Sequence, residues 1–450
     1  MIVNTKYGKI EGITENGCHI FKGIPYAKAP IGALRFKKPQ KPEPWEGIYK
    51  ADHFRNKSMQ GPTRPGFYKK EFYDNPDFDT EPSEDSLYLN IWVPENHEGE
   101  KLPVAVYVHG GAFLGGAGSN LPFVCDRLAK AGIIVVTMNY RLGGFGFLCH
   151  PLLAEEGNTK AGVNYGLWDQ LEAFTWVKEN IACFGGDSDN VTAFGQSAGA
   201  MSLQTLAISE KAKGAFDKVI LQSGGGYKNP LAEYRSTTHA TKVAELLLEE
   251  LGIHNKEWMT SEEKRKEALD RLYHTPSEEM MQAMGNAIGN CFEQKLGMPF
   301  VPVIDGELVV ADGNLLMEEG SYHKIPYLLG ANKEDMTTEK QEIRTPENNL
   351  MHIGDVAFAQ MVNENTNEDA YVYYFSRQLP GDESGAFHSA ELWYVFGSLE
   401  YCWRPMEEAD YELSDRMIGY WSNFMKNGKP GNEWRPCTKE DPYFEVLDIR

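Results

Sequence analysis

GQSAG (195–199) is a five-residue stretch that follows the apolar run VTAF (191–194) and precedes AMSLQ (200–204). The first run is typical of a short buried strand, and the last is typical of the start of a helix. In such a strand–turn–helix setting a serine is held at the tip of a sharp turn, with its hydroxyl exposed above a helix amino terminus. The glycines on both sides permit the turn. The pattern therefore predicts that Ser197 is a nucleophile within an α/β fold.

Composition excludes several classes of protein. The chain has 450 residues, of which 42% are hydrophobic, and its formal net charge is −21. This acidity argues against nucleic acid or an anionic membrane surface as a partner, because both attract basic patches. The sequence lacks a run of the roughly 18 apolar residues that a membrane-spanning helix needs, and its first residues lack the apolar core of a signal peptide. The seven cysteines are scattered and odd in number, which fits reduced thiols. We therefore expect a cytoplasmic protein with no membrane partner.

Strand-like and helix-like runs alternate along the chain, which predicts a mostly parallel sheet flanked by helices. We expect a single domain over 1–450, with a helical cap or peripheral insertion at 228–300 and a long loop over 61–82. The predicted strands are 104–108, 133–139, 191–194, 219–222, 327–330 and 371–375, and the predicted helices are 123–130, 165–180, 198–208, 238–251 and 406–426.

A second motif joins a predicted strand to a loop of small residues. VAVYV (104–108) runs directly into HGGAF (109–113). Because Gly110 and Gly111 have no side chains, a substrate could approach the backbone closely while consecutive N–H groups point into a cavity. The loop could equally be a tight turn that ends a strand, but its place before GQSAG in the chain favours an oxyanion loop. His109, which heads the loop, is expected to be structural.

Longer blocks of informative sequence are spread over most of the chain. They include NYRLGGFGFL (139–148), NYGLWDQLEAFTWVKENIACFGGDSDNVTAFGQSAGA (164–200), PVIDGEL (302–308) and LLGANKEDM (328–336). In these blocks and in their order the chain resembles the type-B carboxylesterases, a family that includes cholinesterases and para-nitrobenzyl esterases. The resemblance implies an α/β-hydrolase fold with cap and loop insertions.

The resemblance assigns three residues to the family's catalytic positions. Ser197 corresponds to the nucleophile, and His388 lies in a segment similar to the one that holds the general base. Asp335 stands where the family normally has a glutamate as the acid, and Glu334 beside it is the alternative. The chain order of serine, acid and histidine is that of the α/β-hydrolases.

The same comparison implies supporting roles. The backbone N–H groups of Gly111, Ala112 and Ala198 would form the oxyanion hole, Gln196 would lie beside the site, and Ser223 would support the acid. Ser223 could equally be an ordinary residue at a strand end. The residues expected to line the substrate pocket, each of which could equally belong to the core, are Phe113, Leu114, Tyr227, Phe387 and Trp393. No pair of histidines has metal-ligand spacing, so neither a metal nor a cofactor is expected.

Three departures from the family pattern narrow the expected function. Ser58 and Ser86 stand where exported members have a disulfide, which fits a reducing compartment. Gln196 stands where a glutamate is common, and without that charge a choline ester is not the expected substrate. The 53 residues from Asp335 to His388 are fewer than the family normally has, which predicts a shallower and more open site.

The resemblance thus implies a serine carboxylesterase that cleaves small to medium uncharged esters through an acyl-enzyme on Ser197. An amide, a carbamate or a hydroxycinnamate ester could be the true substrate, because these share the acyl-transfer machinery. A non-catalytic binding protein is the less favoured alternative, since all three catalytic positions are filled. The expected partner is a small-molecule ester, and the chain could act as a monomer or a homodimer.

Overall fold

The structure of the protein is a computed structural model that describes residues 1–63, 65–95, 99, 101–154, 163–232, 234–336 and 344–450. Its strands are β1 (Ile2–Thr5), β2 (Gly8–Glu15), β3 (Cys18–Pro25), β4 (Ile48–Ala51), β5 (Lys57–Ser58), β6 (Pro82–Ser83), β7 (Tyr88–Pro94), β8 (Leu102–Val108), β9 (Ile134–Met138), β10 (Gly186–Gln196), β11 (Lys218–Gln222), β12 (Arg235–Ser236), β13 (Val303–Ile304), β14 (Tyr327–Asn332), β15 (Ala370–Phe375) and β16 (Glu445–Leu447). Its α-helices are α1 (Phe67–Phe72), α2 (Asp126–Lys130), α3 (Gly143–Phe147), α4 (Tyr165–Asn180), α5 (Ala198–Ala207), α6 (Thr237–Glu250), α7 (Asn255–Trp258), α8 (Glu262–His274), α9 (Ser277–Glu293), α10 (Gly313–Glu318), α11 (Leu350–Asn365), α12 (Leu392–Phe396) and α13 (Glu408–Asn427).

One large mixed sheet organises the fold. Its strands lie in the order β1-β2-β3-β7-β9-β8-β10-β11-β14-β15-β16, and β4 pairs with β2. Neighbours from β9 to β16 are parallel, whereas those from β1 to β9 through β7 are antiparallel. Every residue of β9, β11, β14 and β15 is buried, as expected for strands covered by helices on both faces of a sheet. The prediction of a mostly parallel sheet flanked by helices is confirmed.

The register of the central strands brings several strand ends to one edge of the sheet. Gly195 of β10 pairs with Val108 of β8, and Gln196 pairs with Gln222 of β11. Gln222 in turn pairs with Gly330 of β14. In parallel sheets the loops beyond the carboxyl ends of the strands form the usual binding crevice. The loops after β8, β10, β11 and β14, which contain most of the predicted site residues, therefore begin side by side.

Most predicted elements are found, but two of the predictions are wrong. All six predicted strands overlap strands of the large sheet, and the predicted helices at 165–180, 198–208, 238–251 and 406–426 match α4, α5, α6 and α13 to within two residues. The predicted helix at 123–130 begins only at Asp126, because a single 3-10 turn precedes it and Val124 is extended (φ −74°, ψ 103°).

The predicted long loop at 61–82 contains the six-residue helix α1. Local signals for this helix are weak, since Gly66 precedes it and no side chain caps its first turn. Tertiary burial of Glu71 and Phe72 stabilises it instead. A sequence pattern of so few residues does not report such long-range contacts.

Helices α6 to α9 occupy most of the region for which a cap was predicted. Met284 of α9 contacts the main body, because its Sδ accepts a hydrogen bond of 3.0 Å from the backbone N–H of Gly144 in α3. Met280 and Ala287, one turn away on either side, are buried as well. The helical character at 255–290 is confirmed, whereas the division of the chain into a core and a cap at 228–300 stays a prediction.

Across the described ranges, no helix has the combination of length and apolar character that crossing a lipid bilayer requires.

Ser58 and Ser86, the two serines for which the resemblance implied disulfide positions, face each other. Their Oγ atoms lie 3.0 Å apart, both residues are buried, and the hydroxyl of Ser58 also donates to the carbonyl of Tyr140 at 2.7 Å. A hydrogen-bonded pair of hydroxyls thus connects β5 to the segment before β7 at Ser86. In this structure the seven cysteines, all within described ranges, are free thiols.

We expect the double substitution S58C/S86C to form a disulfide on oxidation, because the two side chains already touch. Closing the 28-residue span would restrict the unfolded chain and stabilise the protein by about 3–4 kcal/mol on the chain-entropy relation. Urea titration of the oxidised and reduced forms measures this difference, with S58A/S86A as the control for the lost hydroxyl contacts. An oxidised form no more stable than the reduced one would contradict the prediction.

Candidate active site

Ser197 lies on a sharp turn between β10 and α5, with a backbone conformation of φ 55° and ψ −126°. Positive φ at a residue other than glycine costs free energy and is held only by its surroundings. Here the N–H of Ser197 donates to the carbonyl of Gln222 on β11 at 2.8 Å, and its carbonyl accepts from Met201 in α5 at 2.9 Å. The sheet and the helix together therefore fix the turn.

Close contacts explain why glycines surround this turn. A Cβ on Gly199 would lie 2.0 Å from the carbonyl oxygen of Val108, and a Cβ on Gly224 would lie 2.3 Å from the carbonyl oxygen of Ser197. Both neighbouring atoms belong to the backbone and cannot move aside. A side chain at either position would consequently displace the strand–helix junction that holds Ser197.

The structure brings the predicted acid and base together. Nδ1 of His388 makes a short hydrogen bond with Oδ1 of Asp335, and both residues are almost fully buried. The carboxylate also accepts backbone hydrogen bonds from Asn332 at 3.0 Å and from Met336 at 2.8 Å. These contacts fix the carboxylate, which in turn fixes the orientation of the imidazole ring.

Glu334, the alternative acid, makes a different contact. Its Oε2 accepts a hydrogen bond of 2.7 Å from the backbone N–H of Ala386, and its own N–H donates to the Ala386 carbonyl at 3.1 Å. It thus fastens the loop that carries His388 rather than touching the imidazole. The geometry favours Asp335 over Glu334 as the acid.

The protonation of His388 is governed by burial and by its acidic partner. Burial acts to lower the pKa of the imidazole, but the charge of Asp335 and its hydrogen bond outweigh burial and raise the pKa above its usual 6.5. A second buried carboxylate, Glu391, acts in the same direction. A histidine of this kind is well suited to accept a proton near neutral pH.

Gln196 occupies the other nitrogen of the ring. Its Nε2 lies 3.2 Å from Nε2 of His388, which fits an amide N–H donating to the imidazole when the ring proton is on Nδ1. Among the hydrogen bonds of the described residues, none joins His388 to Oγ of Ser197. In this structure the Gln196 amide therefore occupies the position at Nε2 that a serine hydroxyl would need.

The predicted oxyanion loop adopts an unusual backbone. Gly111, Ala112 and Phe113 all have positive φ, at 113°, 54° and 60°. The N–H groups of Gly111 and Ala112 donate to no acceptor in the described part of the chain. Ala198, whose N–H is the third expected donor, is the first residue of α5 and has no preceding helical turn to bond with. All three N–H groups are thus available to a bound oxygen.

His109 has the surroundings of a structural residue. Its ring stacks on Tyr140 with centroids 4.5 Å apart, and its Nδ1 lies 2.8 Å from the carbonyl oxygen of Gly110. Burial lowers the pKa of His109 to about 4, so the ring is neutral at pH 7.

Two residues that the sequence argument did not single out connect the acid to the base. Asn332 donates through Nδ2 to Glu391 at 2.6 Å and to the carbonyl of Phe387 at 2.8 Å. Burial raises the pKa of Glu391 to about 7, and Gln222 on β11 also donates to it at 3.2 Å. The spacing of three residues from His388 to Glu391 was the available sequence signal, whereas the role of Asn332 depends on tertiary contacts.

Ser223 does not make the contact expected of it. It is fully buried at the end of β11, with φ 50°, and its N–H donates to the carbonyl of Gly330 at 2.8 Å. Its Oγ has no hydrogen-bond partner among the described residues. Any support it gives to Asp335 therefore passes through the backbone of β14.

Ser197 and His388 lie at a cavity of about 370 Å³. Its wall combines the oxyanion loop with aromatic side chains from α1 and its flanks and from the segment before α2. The side chains that line it around these two residues include Gln60, Tyr68, Phe72, Tyr73, Tyr107, His109, Leu114, Asn120, Phe123, Gln196, Met336 and Leu392. A second cavity, of about 260 Å³, is lined by Phe113, Gly224 and other, largely apolar residues.

Of the five predicted substrate-pocket residues, some line a cavity, whereas others are buried in the core or lie near the surface. Leu114 lines the cavity of Ser197, and Phe113 lines the second cavity. Trp393 is fully buried and packs on Phe72 with ring centroids 5.7 Å apart. Phe387 is also buried, in contact with Phe67 and Phe72, and Tyr227 donates its hydroxyl to Glu318 near the surface. Packing against neighbouring rings rather than exposure to the cavity explains the position of Trp393 and Phe387.

No group of three or more histidine, cysteine, aspartate or glutamate side chains within the described residues is arranged to hold a metal ion. The groups that the structure brings together at this site are the hydroxyl of Ser197, the imidazole of His388, the carboxylate of Asp335 and backbone N–H groups.

Comparison with known proteins gives a consistent result. The Carboxylesterase family model matches residues 1–349 and 336–449. The chain is 33% identical to a para-nitrobenzyl esterase of Bacillus subtilis (strain 168), over 99% of this chain and 94% of that protein. It is 29% identical to an acetylcholinesterase of Leptinotarsa decemlineata, over 100% of this chain and 82% of that protein.

Comparison with solved structures gives the same result as comparison with sequences. A PNB esterase structure superposes with a TM-score of 0.83 at 31% identity, covering 100% of this chain and 96% of that one. A carboxylesterase of Geobacillus stearothermophilus superposes with a TM-score of 0.79 at 29% identity, covering 99% and 96%. The expected α/β-hydrolase fold is confirmed.

We expect D335N to lower kcat for an ester by about 10⁴-fold, because an amide would hold the imidazole in the wrong tautomer. The matched control E334Q leaves the partner of His388 in place and should change kcat by no more than about tenfold. Steady-state hydrolysis of a para-nitrophenyl ester by both variants measures this. A larger loss in E334Q than in D335N would identify Glu334 as the acid.

We expect Q196E to move the acid limb of the pH–rate profile to higher pH. A carboxylate beside Nε2 would raise the pKa of His388 further, so the ring would stay protonated, and unable to act as a base, up to a higher pH. The same charge should raise kcat/KM for butyrylcholine relative to its uncharged isostere 3,3-dimethylbutyl butyrate, which the native protein should prefer. An unchanged pH limb, or a native preference for the cation, would contradict this role of Gln196.

Proposed function

This chain belongs to the carboxylesterase family, and we propose that it hydrolyses small to medium uncharged carboxylic esters through an acyl-enzyme on Ser197. The observation that carries the proposal is the buried hydrogen bond between Asp335 and His388, beside a cavity that His388 and Ser197 both line. The strained turn supports it as well, because such backbone conformations concentrate at functional sites.

The proposed reaction has two acyl-transfer steps. Oγ of Ser197 attacks the ester carbonyl carbon while Nε2 of His388 takes its proton, and the carbonyl π electrons move onto oxygen. The resulting imidazolium is stabilised by Asp335, which remains ionised. His388 then gives the proton to the alcohol oxygen as the ester C–O bond breaks. Water repeats the sequence on the acyl-enzyme, which releases the carboxylic acid and restores Ser197.

The developing oxyanion would be held by the three free N–H groups of Gly111, Ala112 and Ala198. Fixed donors of this kind lose no free energy to reorganisation during the reaction, and each is worth about 3–4 kcal/mol in related chemistry. Ala198 adds the amino-terminal end of α5, whose partial positive charge favours an anion. Helix α5 and the loop after β8 would thus supply the electrostatic part of the mechanism.

The lining of the cavity supports an uncharged substrate. Among the described residues that line it there is no Asp, Glu, Lys or Arg, and the two histidines that line it are His109 and His388. His109 is neutral at pH 7, since burial lowers its pKa to about 4. A charged substrate would lose hydration on entry and find no compensating partner.

The size of the ester follows from the two cavities. The cavity of about 370 Å³ at Ser197 fits a small to medium group, and its aromatic wall favours an apolar one. The second cavity of about 260 Å³ is lined by Phe113, the residue after Ala112 of the oxyanion loop, and we propose that it receives a longer acyl chain. Its lining includes the apolar side chains of Met201 and Leu231, which would contact such a chain, beside the polar side chains of Gln204, Thr205 and Arg235.

We expect the protein to hydrolyse para-nitrophenyl esters, with S197A losing activity to the level of the buffer reaction, because the acyl-enzyme can no longer form. The acyl-length profile from acetate to decanoate measures the acyl pocket. A fluorophosphonate probe should label the native protein and not S197A, which separates a missing nucleophile from a poorly chosen ester. If the native protein neither turns over any ester nor reacts with the probe, the proposed function fails.

A further inference from the structure

A buried ionic cluster lies behind the aromatic wall of the cavity. The guanidinium of Arg404 donates from Nε to Glu71 at 2.9 and 3.2 Å. The two side chains are 0% and 1% exposed, so this pair is inside the protein rather than on its surface. The indole N–H of Trp403 donates to the same carboxylate at 2.8 Å. Neither Glu71 nor Arg404 lines the cavity of Ser197.

One end of the cluster belongs to the helix that forms the wall. Glu71 is the fifth residue of α1, and Tyr68 and Phe72 of the same helix line the cavity. The helix is only six residues long and has no side-chain cap, so its own hydrogen bonds do not hold it in place. Its position depends on what Glu71 and its rings touch.

The other end belongs to the loop that carries His388. Arg404 donates from Nη1 to the carbonyl of Pro380 at 2.9 Å and to Asp382 at 2.8 Å. Nη2 reaches Asp382 at 3.2 Å and Ser384 at 3.2 Å. The hydrogen bond with Arg404 lowers the pKa of Asp382 to about 2, so this carboxylate stays charged.

Ring contacts join the same two elements. Phe387, directly before His388, lies 4.8 Å from Phe67 and 6.2 Å from Phe72, measured between ring centroids. The guanidinium carbon of Arg404 lies 5.1 Å from the centroid of Phe387, within the range of a cation–π contact. Arg404 therefore contacts α1, the loop at 380–384 and the ring beside the imidazole at once.

We propose that Arg404 and Glu71 are positioning residues that hold the aromatic face of α1 against the site, and that this face binds a bulky apolar or aryl part of the ester. The inference rests on the proposed function and adds a substrate class to it. The hydrogen-bonded hydroxyls of Ser58 and Ser86 lie on either side of α1 in the sequence, and the ionic cluster connects this helix to the rest of the site.

Because the Arg404–Glu71 pair is buried, substitutions that remove one of its charges test the proposal. Removing Arg404 leaves Glu71 as an uncompensated buried charge, which displaces α1. Removing Glu71 breaks the contact of α1 with Arg404, which keeps Asp382 as its partner. Replacing both Glu71 and Arg404 by apolar side chains of similar volume is often tolerated. We therefore expect E71L and R404M to raise KM for 2-naphthyl butyrate about tenfold, with kcat/KM for methyl butyrate within about twofold of native. The double variant E71L/R404M should recover most of the naphthyl KM. E71Q, which keeps the shape and loses the charge, serves where a single variant fails to fold.

The matched control is D169N, which neutralises the carboxylate of another buried arginine pair, Arg141–Asp169, with side chains 3% and 0% exposed. It should lower the free energy of unfolding without changing the ratio of kcat/KM for the naphthyl and methyl esters. Because the imidazole is untouched, the pH–rate profile of E71Q should match native. An equal loss on both esters, or a ratio change in D169N as large as in E71Q, would overturn a positioning role.

Hydrogen–deuterium exchange gives a readout that does not need activity. In E71Q, amides of residues 67–72 should exchange at least about fivefold faster than in the native full-length protein, while those of β10 stay unchanged. Unchanged exchange in α1 would show that Arg404 and Glu71 do not hold this helix in place, even if the KM values for the two esters change as expected. If the native protein is inert to both esters and to a fluorophosphonate, the proposed function and the substrate class fail, and the exchange data still decide whether Arg404 and Glu71 hold α1 in place.

Discussion

The backbone of Ser197 is the constraint around which the site is built. A residue with φ 55° and ψ −126° is strained by about 1–3 kcal/mol, and the strain persists only because the surroundings leave no alternative. Parallel strands on both sides of β10 fix its end, and α5 begins at the next residue. Neighbouring backbone leaves no space for a side chain at Gly199 or Gly224. The hydroxyl is thus presented at the strand edge where the other site loops begin.

Burial strengthens the electrostatic interactions between the charged groups near that hydroxyl. Asp335 and His388 lie in a region where charges are weakly screened, so Asp335, with Glu391 acting in the same direction, governs the protonation of the imidazole. Asn332 and Glu391 bond to the same loops and restrict their movement. The cavity itself is nearly free of charge, which leaves the proposed reaction to depend on dipoles and one imidazole. Gln196 fits this pattern, because it fills the space of a possible carboxylate without adding a charge.

The walls of the cavity depend more on contacts with distant segments than the strand ends that carry the candidate catalytic residues do. The strands at the edge are stabilised by the whole sheet, whereas α1 is short and depends on side-chain contacts with distant segments. Its aromatic residues and the buried Glu71 face different elements, so one small helix both covers the site and is anchored beneath it. Such an arrangement allows the covering segment to vary in sequence and specificity while the nucleophile and its sheet remain the same.

The sequence by itself determined the central strands, the principal helices and the family, because apolar periodicity and the GQSAG and HGGAF segments are local patterns. It also indicated Ser197, His388 and Asp335, though it left Glu334 open, because adjacent carboxylates on a loop cannot be distinguished without knowing where each points. Only the tertiary structure directed Asp335 to the imidazole and Glu334 to the backbone of Ala386. The tertiary structure alone also formed α1, buried Trp393 and assembled Arg404 with Glu71, because these depend on contacts between segments more than 300 residues apart. Local patterns specify which elements form, and packing between distant elements decides which side chains meet.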